Sequence, residues 1–424
     1  MDITIDLLQK CYKEYQLNKP TYDKMYEYFK GNTDAIANYK MQTERTNNKI
    51  NTNFIKKFIK EEVSYSVGNE ITYISRSGNK DIINDIEYYT EHWSENHDSN
   101  LAKNMLLYSL AYEVYYVDDE GQFSSKIISP RDGYAAIDDF GNISFFMHVF
   151  KLKFDDTTYI DLYTDNEIIH YNSDFKEVKP RTQLIFGAVP VGLAQLSEEK
   201  QEDTIYKDIK GLQDAYETNL SDISNEISDF RNAYMVLSGV QIPEEDIPKM
   251  KQLGVLQIKG KDGKAEWLIK NINDQFIQNT LSTLEDKMYQ LSSHINHNID
   301  MVSNLSGVAL RSRLISLEEK CKLNQKALAD CVKTRLKMLF IYLKVLKNKD
   351  YDYKDIKIKF TPNIPQDDLM TAQTISQLGD KLSTETGLSL LSFIDNPTNE
   401  LAKIKQEQSE LLQGQSLLDG AVNG

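Results

Sequence analysis

Paired carboxylates, a histidine couple and a glycine-flanked lysine run are the residues here whose types and spacing could do chemistry. Asp118-Asp119, Asp138-Asp139, Asp155-Asp156 and Asp367-Asp368 are pairs of the kind that hold the divalent metals of a nuclease. All four fall in turns or at a helix start, where Asp favours the local backbone geometry and the helix dipole, and that reading is preferred. His294 and His297 stand one helical turn apart, yet no third ligand lies near them in sequence. The other histidines, His92, His97, His148 and His170, form no HExxH pattern, and no serine sits in a GxSxG elbow. The run Gly254 to Lys261 looks like a phosphate loop, but five residues separate its glycines and Asp262 stands where a Mg²⁺-binding Ser or Thr belongs. A hairpin turning at Asp262-Gly263 explains the same residues. Cys11, Cys321 and Cys331 share no metal-type spacing, and their odd number offers no disulfide framework, which fits a reducing compartment. The chain is therefore expected to be no enzyme, with no metal and no cofactor.

Nucleic acid is the next candidate partner. RTNNKINTNFIKKFIK is the most basic segment, with Arg45, Lys49, Lys56, Lys57 and Lys60, and it reads as an amphipathic helix with a solvated lysine face. Lys259, Lys261 and Lys264 form a second basic group, at a loop between acidic helices. The 25 tyrosines do not alternate with basic residues as a base-stacking surface requires. Across 424 residues, 49 Lys and Arg face 64 Asp and Glu, a net charge of −15. Such a balance argues against a tight phosphate-gripping protein, though not against one that DNA passes without sticking. No stretch approaches a membrane span and MDITIDLLQKCYKEY carries no apolar signal run, so the chain reads as soluble and intracellular, with no membrane partner.

The elements that must position these residues are mostly helical. Leu7, Leu8, Cys11 and Tyr15 share one helical face, and Tyr22, Met25, Tyr26 and Phe29 another, ending at Gly31-Asn32. A third helix carries Ile50, Phe54, Ile55, Phe58, Ile59 and Val63. A strand from Glu70 to Ser75 and a Gly78-Asn79 turn precede a helix expected from Asp81 through LAKNMLLYSLAYEV. From about 113 to 190 the period changes to two, giving an antiparallel β module with hairpins at Asp119-Glu120-Gly121 and Phe140-Gly141-Asn142. Ile205, Ile209, Leu212, Tyr216, Leu220, Ile223, Ile227, Phe230 and Tyr234 then mark a long helix whose other face holds Asp208, Asp214, Glu217, Asp222, Glu226 and Asp229. Another helix carries Ile277, Leu281, Leu284, Met288, Leu291 and Ile295, and a third runs from about Val308 to Leu346. Polar HNIDMVSNLSG separates the last two. Strand DIKIKF and two further helices close an α+β, helix-rich chain. So many one-sided apolar stripes call for packing partners, either within one subunit or between subunits.

The order of these parts resembles that of bacteriophage portal proteins, in particular the branch of siphophages infecting Gram-positive hosts. YEYFKGN resembles the family's tyrosine-rich opening segment, and NNKINTNFIKKFIKEEVSYSVGNEITY its helix leading into a strand. IKGLQDAYETNLSDISNEISDFRNAYMVLSG looks like its most distinctive helix, with Asp214, Ala215, Tyr216, Ser221, Asp222 and Asn225 matching and Gln213 and Glu217 departing. SGVALRSRLISLE resembles the start of its long kinked helix, and LSTETGLSLLSFIDNPTNELAKIKQE its C-terminal helix pair.

The resemblance implies a portal fold that assembles into a ring: twelve subunits in the virion, with thirteen the alternative for the isolated ring. Residues 1–204 would form the wing, 205–235 the first stem helix, 236–271 a clip with a hairpin, and 272–295 the second stem helix. Residues 296–306 would be the tunnel loop, 307–365 the kinked wing helix and returning strand, and 366–424 the crown. Asn298, Ser303, Asn304 and Ser306 would face double-stranded DNA in the channel, and Lys259, Lys261 and Lys264 would make clip contacts. The implied partners are DNA in transit, the terminase, the head-tail adaptor, and scaffold and major capsid proteins. A capsid vertex would be the location, with assembly in the host cytoplasm. A monomeric helical scaffold or adaptor, or a metal-dependent nuclease, would be the alternatives.

Overall fold

The computed structural model describes residues 3–40, 47–230, 234–238, 264–268, 274–296, 307–362, 368–388, 390–391, 394, 400–407 and 409. They fall in two compact units, 1–302 with 312–362 and 303–311 with 363–424. The first begins with α1 (Ile5–Lys30), capped by the Thr4 side chain and closed by Gly31 at φ +96°. This is one helix where two faces had suggested two, and Pro20 lies inside it. After α2 (Asp34–Asn38), α3 runs over Phe54–Val67. Ile50 precedes it rather than opening it, because Asn53, in the left-handed region, caps Lys56 N and sets the start.

The expected helix from Asp81 through Val114 divides in three. α4 (Lys80–Thr90) and α5 (His97–Tyr108) are separate, and Leu110–Val117 is strand β2. The reversal occurs at Ser109, whose φ of +68° ends α5. The β-branched and aromatic run after it packs better on a pleated sheet than on a helix. β2 is the centre of a three-stranded antiparallel sheet between β3 (Phe123–Ile128) and β9 (Val191–Gln195). The β module is thus two sheets rather than one meander. The second has five strands: β4 (Gly133–Ile137), β5 (Ile143–Lys151), β6 (Thr158–Tyr163), β7 (Glu167–Asn172) and β8 (Thr182–Gln183).

Both hairpins expected within the β module form, by the same local device. Asp118 accepts from the backbone of Glu120 and Gln122, and Asp138 from Phe140 and Asn142. Asp155 caps Thr157 in the same manner. These amides hold the three carboxyls below the usual range, and three of the four acidic pairs are accounted for as turn residues. Asp368 opens a helix, as expected, and Asp367 lies outside the described residues.

β5 is buried on both sides, which explains its Phe145-Phe146-Met147 run. Phe145 and Met147 meet Leu8, Cys11 and Tyr15 of α1, while Phe146 joins the main core. That main core gathers Met25, Tyr28, Phe58, Ile59, Met105, Ala111, Ile209, Met288 and Leu328. α6 (Ile205–Phe230), α7 (Asp274–Ser292) and α8 (Gly307–Lys347) supply the last three. β9 passes so near α8 that a Cβ on Gly192 would lie 2.5 Å from the Tyr115 hydroxyl and 2.8 Å from the Cys331 sulfur. Only glycine fits there.

A buried charge cluster ties α8 to β2. Arg335 is 3% exposed and Glu113 fully buried; Arg335 Nε meets Glu113 at 2.9 Å and its Nη2 meets Asp98 at 2.6 Å. His97 Nε2 completes the set, 2.9 Å from Glu113. Burial would raise the Glu113 pKa, but the guanidinium and His97 overcome it and hold the carboxyl down at about 2.

β1 (Thr72–Ser75) pairs with β12 (Ile356–Lys359), a long-range contact between two isolated short strands. In the second unit, α9 (Asp368–Leu378) and α10 (Thr384–Leu388) follow one another with Gly387 close against Ile375.

Candidate functional site

α6 was expected to carry an apolar stripe on one face and its carboxylates on the other. Instead its most buried stripe becomes polar after Ile209: Gln213, Glu217, Ser221 and Asn225, at four-residue spacing, are all fully buried. The cause is an extended segment, residues 47–53, lying along the helix. Asn225 Oδ1 accepts from Asn48 N (2.7 Å), Ser221 Oγ from Ile50 N (2.9 Å), and Glu217 Oε1 from Thr52 N (3.0 Å). Gln213 Oε1 accepts from Ile55 N at 3.3 Å, where α3 begins. Four helical residues advance about 6 Å and two extended residues about 6.6 Å, so the two periods stay in step for several contacts. The helix side chains thus serve the extended backbone as a neighbouring strand would.

Glu217 is a buried carboxylate served by neutral donors. Thr33 and Thr52 hydroxyls, Thr52 N and Gln213 Nε2 all reach it. Such multiple donation offsets the desolvation of the charge. A second row of contacts flanks it. Tyr28 donates to Asp214 at 2.8 Å, Tyr39 to Asp222 at 2.7 Å, and Lys210 meets Asp214 at 2.7 Å and Asp34 at 3.0 Å. The expected acidic face is therefore corrected at Asp214, Glu217 and Asp222, which are engaged by the N-terminal region. Asp208 is exposed.

The apolar stripe of α6 faces α7. Tyr216 packs edge-on against Phe54 and reaches Glu285 at 3.4 Å. Further along, Ile223, Ile227, Phe276, Ile277 and Leu281 line an open groove of about 500 Å³. Ile227 is 56% and Phe276 68% exposed, so the pair leaves apolar surface uncovered. α6 is described to Phe230; Tyr234, placed in the helix by periodicity, belongs to β10 (Tyr234–Ser238), which pairs with β11 (Lys264–Leu268). Six carboxylates against two lysines in α6, and three against one in α7, make the pair acidic.

At its far end α7 is locked to two other helices. Ser293 takes φ +63°, and the His294 ring stacks on Phe58 at 4.4 Å with Nε2 3.1 Å from the Phe58 carbonyl. Burial, reinforced by Lys320, lowers the His294 pKa to about 3. Lys320 of α8 bridges the Ser292 carbonyl (3.2 Å) and Glu62 (2.7 Å), and Asn324 also serves Glu62. His294 is thus a packed core histidine. Among the described residues no group of three or more His, Cys, Asp or Glu is placed to hold a metal, and no helix is long and apolar enough to cross a membrane.

Asn298, Ser303, Asn304, Ser306, Lys259 and Lys261 lie outside the described residues, as do His297 and the Asp262-Gly263 turn. Lys264 begins β11 opposite Ser238, and its side chain is outside the described set. In the basic segment, Lys57 pairs with Glu61 and Lys56 lies over Phe29, the roles of an ordinary helix face. Sequence reasoning missed the Gln213-Glu217-Ser221-Asn225 ladder, although hydrogen-bonding residues at strict four-residue spacing were there to be read.

A family model described as phage portal protein, SPP1 Gp6-like, matches residues 8–414. The portal protein of Bacillus phage SPP1 is 24% identical over 418 residues, covering 91% of this chain and 81% of that protein. Among solved structures, a chain from the virion of a native gene transfer agent particle aligns with a TM-score of 0.46 at 11% identity, covering 87% of this chain and 92% of its own. A chain from the neck of that native particle, computed with C12 symmetry, gives 0.46 at 11% identity, with 80% and 89% covered.

Proposed function

Because the chain belongs to the SPP1 Gp6-like phage portal protein family, we propose that it forms the ring at one capsid vertex through which double-stranded DNA is packaged and ejected. The family match across residues 8–414 carries this reading. The α+β, helix-rich architecture is the portal fold of that family, whose role is structural. α6 and α7 lie within the stem, residues 205–235 and 272–295, with a clip at 236–271, a tunnel loop at 296–306, a wing at 1–204 and 307–365, and a crown from 366.

The physical argument concerns conduction rather than grip. A wall carrying a net negative charge on every stem helix repels phosphates, so DNA slides with little adhesion. The ladder between residues 47–53 and α6 ties the stem rigidly to the wing, which a conduit under load requires. The uncovered Ile227–Phe276 groove is where the neighbouring subunit's stem packs. Twelve subunits form the virion ring, or thirteen in isolation. ATP hydrolysis belongs to the terminase, which docks here with the head-tail adaptor, and scaffold and major capsid proteins surround the ring. Asn298, Ser303, Asn304 and Ser306 contact the passing DNA, and Lys259, Lys261 and Lys264 serve the clip.

Native mass measurement and electron microscopy of the purified protein test the ring. A species of twelve or thirteen protomers with a central channel is expected; a monomer at all concentrations and salts, including inside assembled particles, refutes it. Deleting residues 298–305 should leave rings that fail to fill capsids with DNA. Normal packaging by that deletion would remove the tunnel-loop assignment while leaving the ring intact.

A further inference from the structure

Three adjacent strands of the five-stranded sheet bring a carboxylate, an imidazole and a hydroxyl into line on one face. Asp161 of β6 stands opposite His170 of β7, and Thr182 of the short edge strand β8 stands opposite Ile168, diagonal to His170. Asp161 Oδ1 lies 2.7 Å from His170 Nδ1, and His170 Nε2 lies 3.1 Å from Thr182 Oγ1. A carboxylate only accepts, so it holds the ring proton on Nδ1 and leaves the Nε2 lone pair to accept from the Thr182 hydroxyl. Among the described residues no other histidine is set between a carboxylate and a hydroxyl. His97 meets Glu113 through Nε2, His92 meets Ser124, and His294 meets two backbone carbonyls. Thr182 is exposed, whereas the His170 and Asp161 side chains are only 18% and 20% exposed. The base is sheltered and the hydroxyl is open to solvent.

We infer that Thr182 is an activated nucleophile, a site of covalent acylation by an uncharged, reactive ester. A hydroxyl is a weak nucleophile until a neighbouring base takes its proton, and His170 is placed to do so. Thr182 Oγ1 bonds to the acyl carbon, the ester C–O bond breaks, and the hydroxyl proton passes to His170 Nε2. The Nδ1–H bond to Asp161 steadies the imidazolium while it lasts, as in a hydroxyl–imidazole–carboxylate triad. The leaving group departs as its anion, and His170 returns the proton to water. One acyl group then stays on Thr182, so the reaction is stoichiometric and asks for no turnover. In the same cross-strand row as Thr182, Ile168 and Tyr163 are half-buried, an apolar setting that favours an aryl ester over a charged acyl donor.

Treating the full chain with p-nitrophenyl acetate, quenching in acid and mapping the peptides by mass spectrometry tests this. A positioned general base contributes about 10²–10⁴-fold. Thr182 should therefore be acetylated at least about tenfold faster than Thr72, which is also exposed on a short strand. Thr182→Ser keeps the hydroxyl and should keep the reaction. His170→Gln and Asp161→Asn should each bring the rate at Thr182 down to that at Thr72, with circular dichroism confirming the fold. Acetylation of Thr182 no faster than Thr72 overturns the proposal, and this comparison is made within the unaltered chain, whatever the variants do. A label found on His170 or on lysines but not on Thr182 overturns it too. So does a Thr182 rate that both substitutions leave unchanged, which would make the relay only a pin holding β8 to the sheet.

Discussion

Asn225 grips Asn48 at both ends of one residue: its Oδ1 accepts from Asn48 N at 2.7 Å and its Nδ2 donates to Asn48 O at 2.9 Å. A side-chain amide thereby replaces the strand that residues 47–53 would otherwise need. Asn225→Ala removes both bonds and leaves two backbone groups without partners, so a loss of about 2–4 kcal/mol is expected. Asn225→Asp keeps the acceptor, loses the donor, and should fall between alanine and wild type. Urea denaturation reads the difference; an unchanged midpoint for Asn225→Ala would show that the ladder does not hold the segment.

The Arg335–Glu113 pair makes a different test, because both charges are out of water. Arg335→Met strands a buried carboxylate and should cost about 3–5 kcal/mol. Adding Glu113→Gln to it should recover part of that loss. The Glu113 pKa is depressed from 4.5 to about 2. Its stabilisation is therefore complete above pH 4.5 and disappears as the pH falls toward 2. Acid titration of the unfolding midpoint checks this, and the double variant should lack that slope.

His148 titrates in a higher window. It is 8% exposed, stacked on Phe150 at 4.8 Å, and burial lowers its pKa from 6.5 to about 4. The unfolded chain binds the proton first, so stability is full above pH 6.5 and declines as the pH drops to 4, by about 3 kcal/mol at most. His148→Gln should flatten the stability curve between pH 6.5 and 4. Persistence of the full slope would assign it to other groups, His294 first among them.

Ile227 and Phe276 are exposed in the single subunit at 56% and 68%. Replacing each with Glu should change subunit stability by no more than about 0.5 kcal/mol, as for other surface positions. If a neighbouring subunit covers them, the same changes remove about 1.5–3 kcal/mol of burial per site, and ring assembly should collapse. Native mass spectrometry distinguishes the outcomes. Intact rings from the double variant would place the subunit contact elsewhere.

Most of the local structure was legible from residue order alone. Apolar residues at three- and four-residue spacing marked α3, α7 and α8, and Asp119-Glu120-Gly121 and Phe140-Gly141-Asn142 marked two hairpin turns, because these features depend on neighbours in sequence. The long-range relationships were not. Nothing in the sequence of β1 says that its partner is β12, some 280 residues later, since short strands carry little register information. Val114 continues a helical pattern on paper; it is a strand residue because β9 and β3 offer hydrogen bonds on both sides. The four-residue polar stripe of α6 was not read as a contact, for periodicity identifies a face without saying what covers it.

By itself the sequence determined the class of protein: an acidic, helix-rich chain whose ordered motifs match a portal family. Those properties reside in composition and in spacing along the chain. Only the tertiary structure decided which side of α6 is buried, because that depends on where residues 47–53 arrive in space. It also brought Arg335 to Glu113. Desolvation and charge pairing act over a few ångströms between residues distant in the chain, so they come into being only when the fold closes.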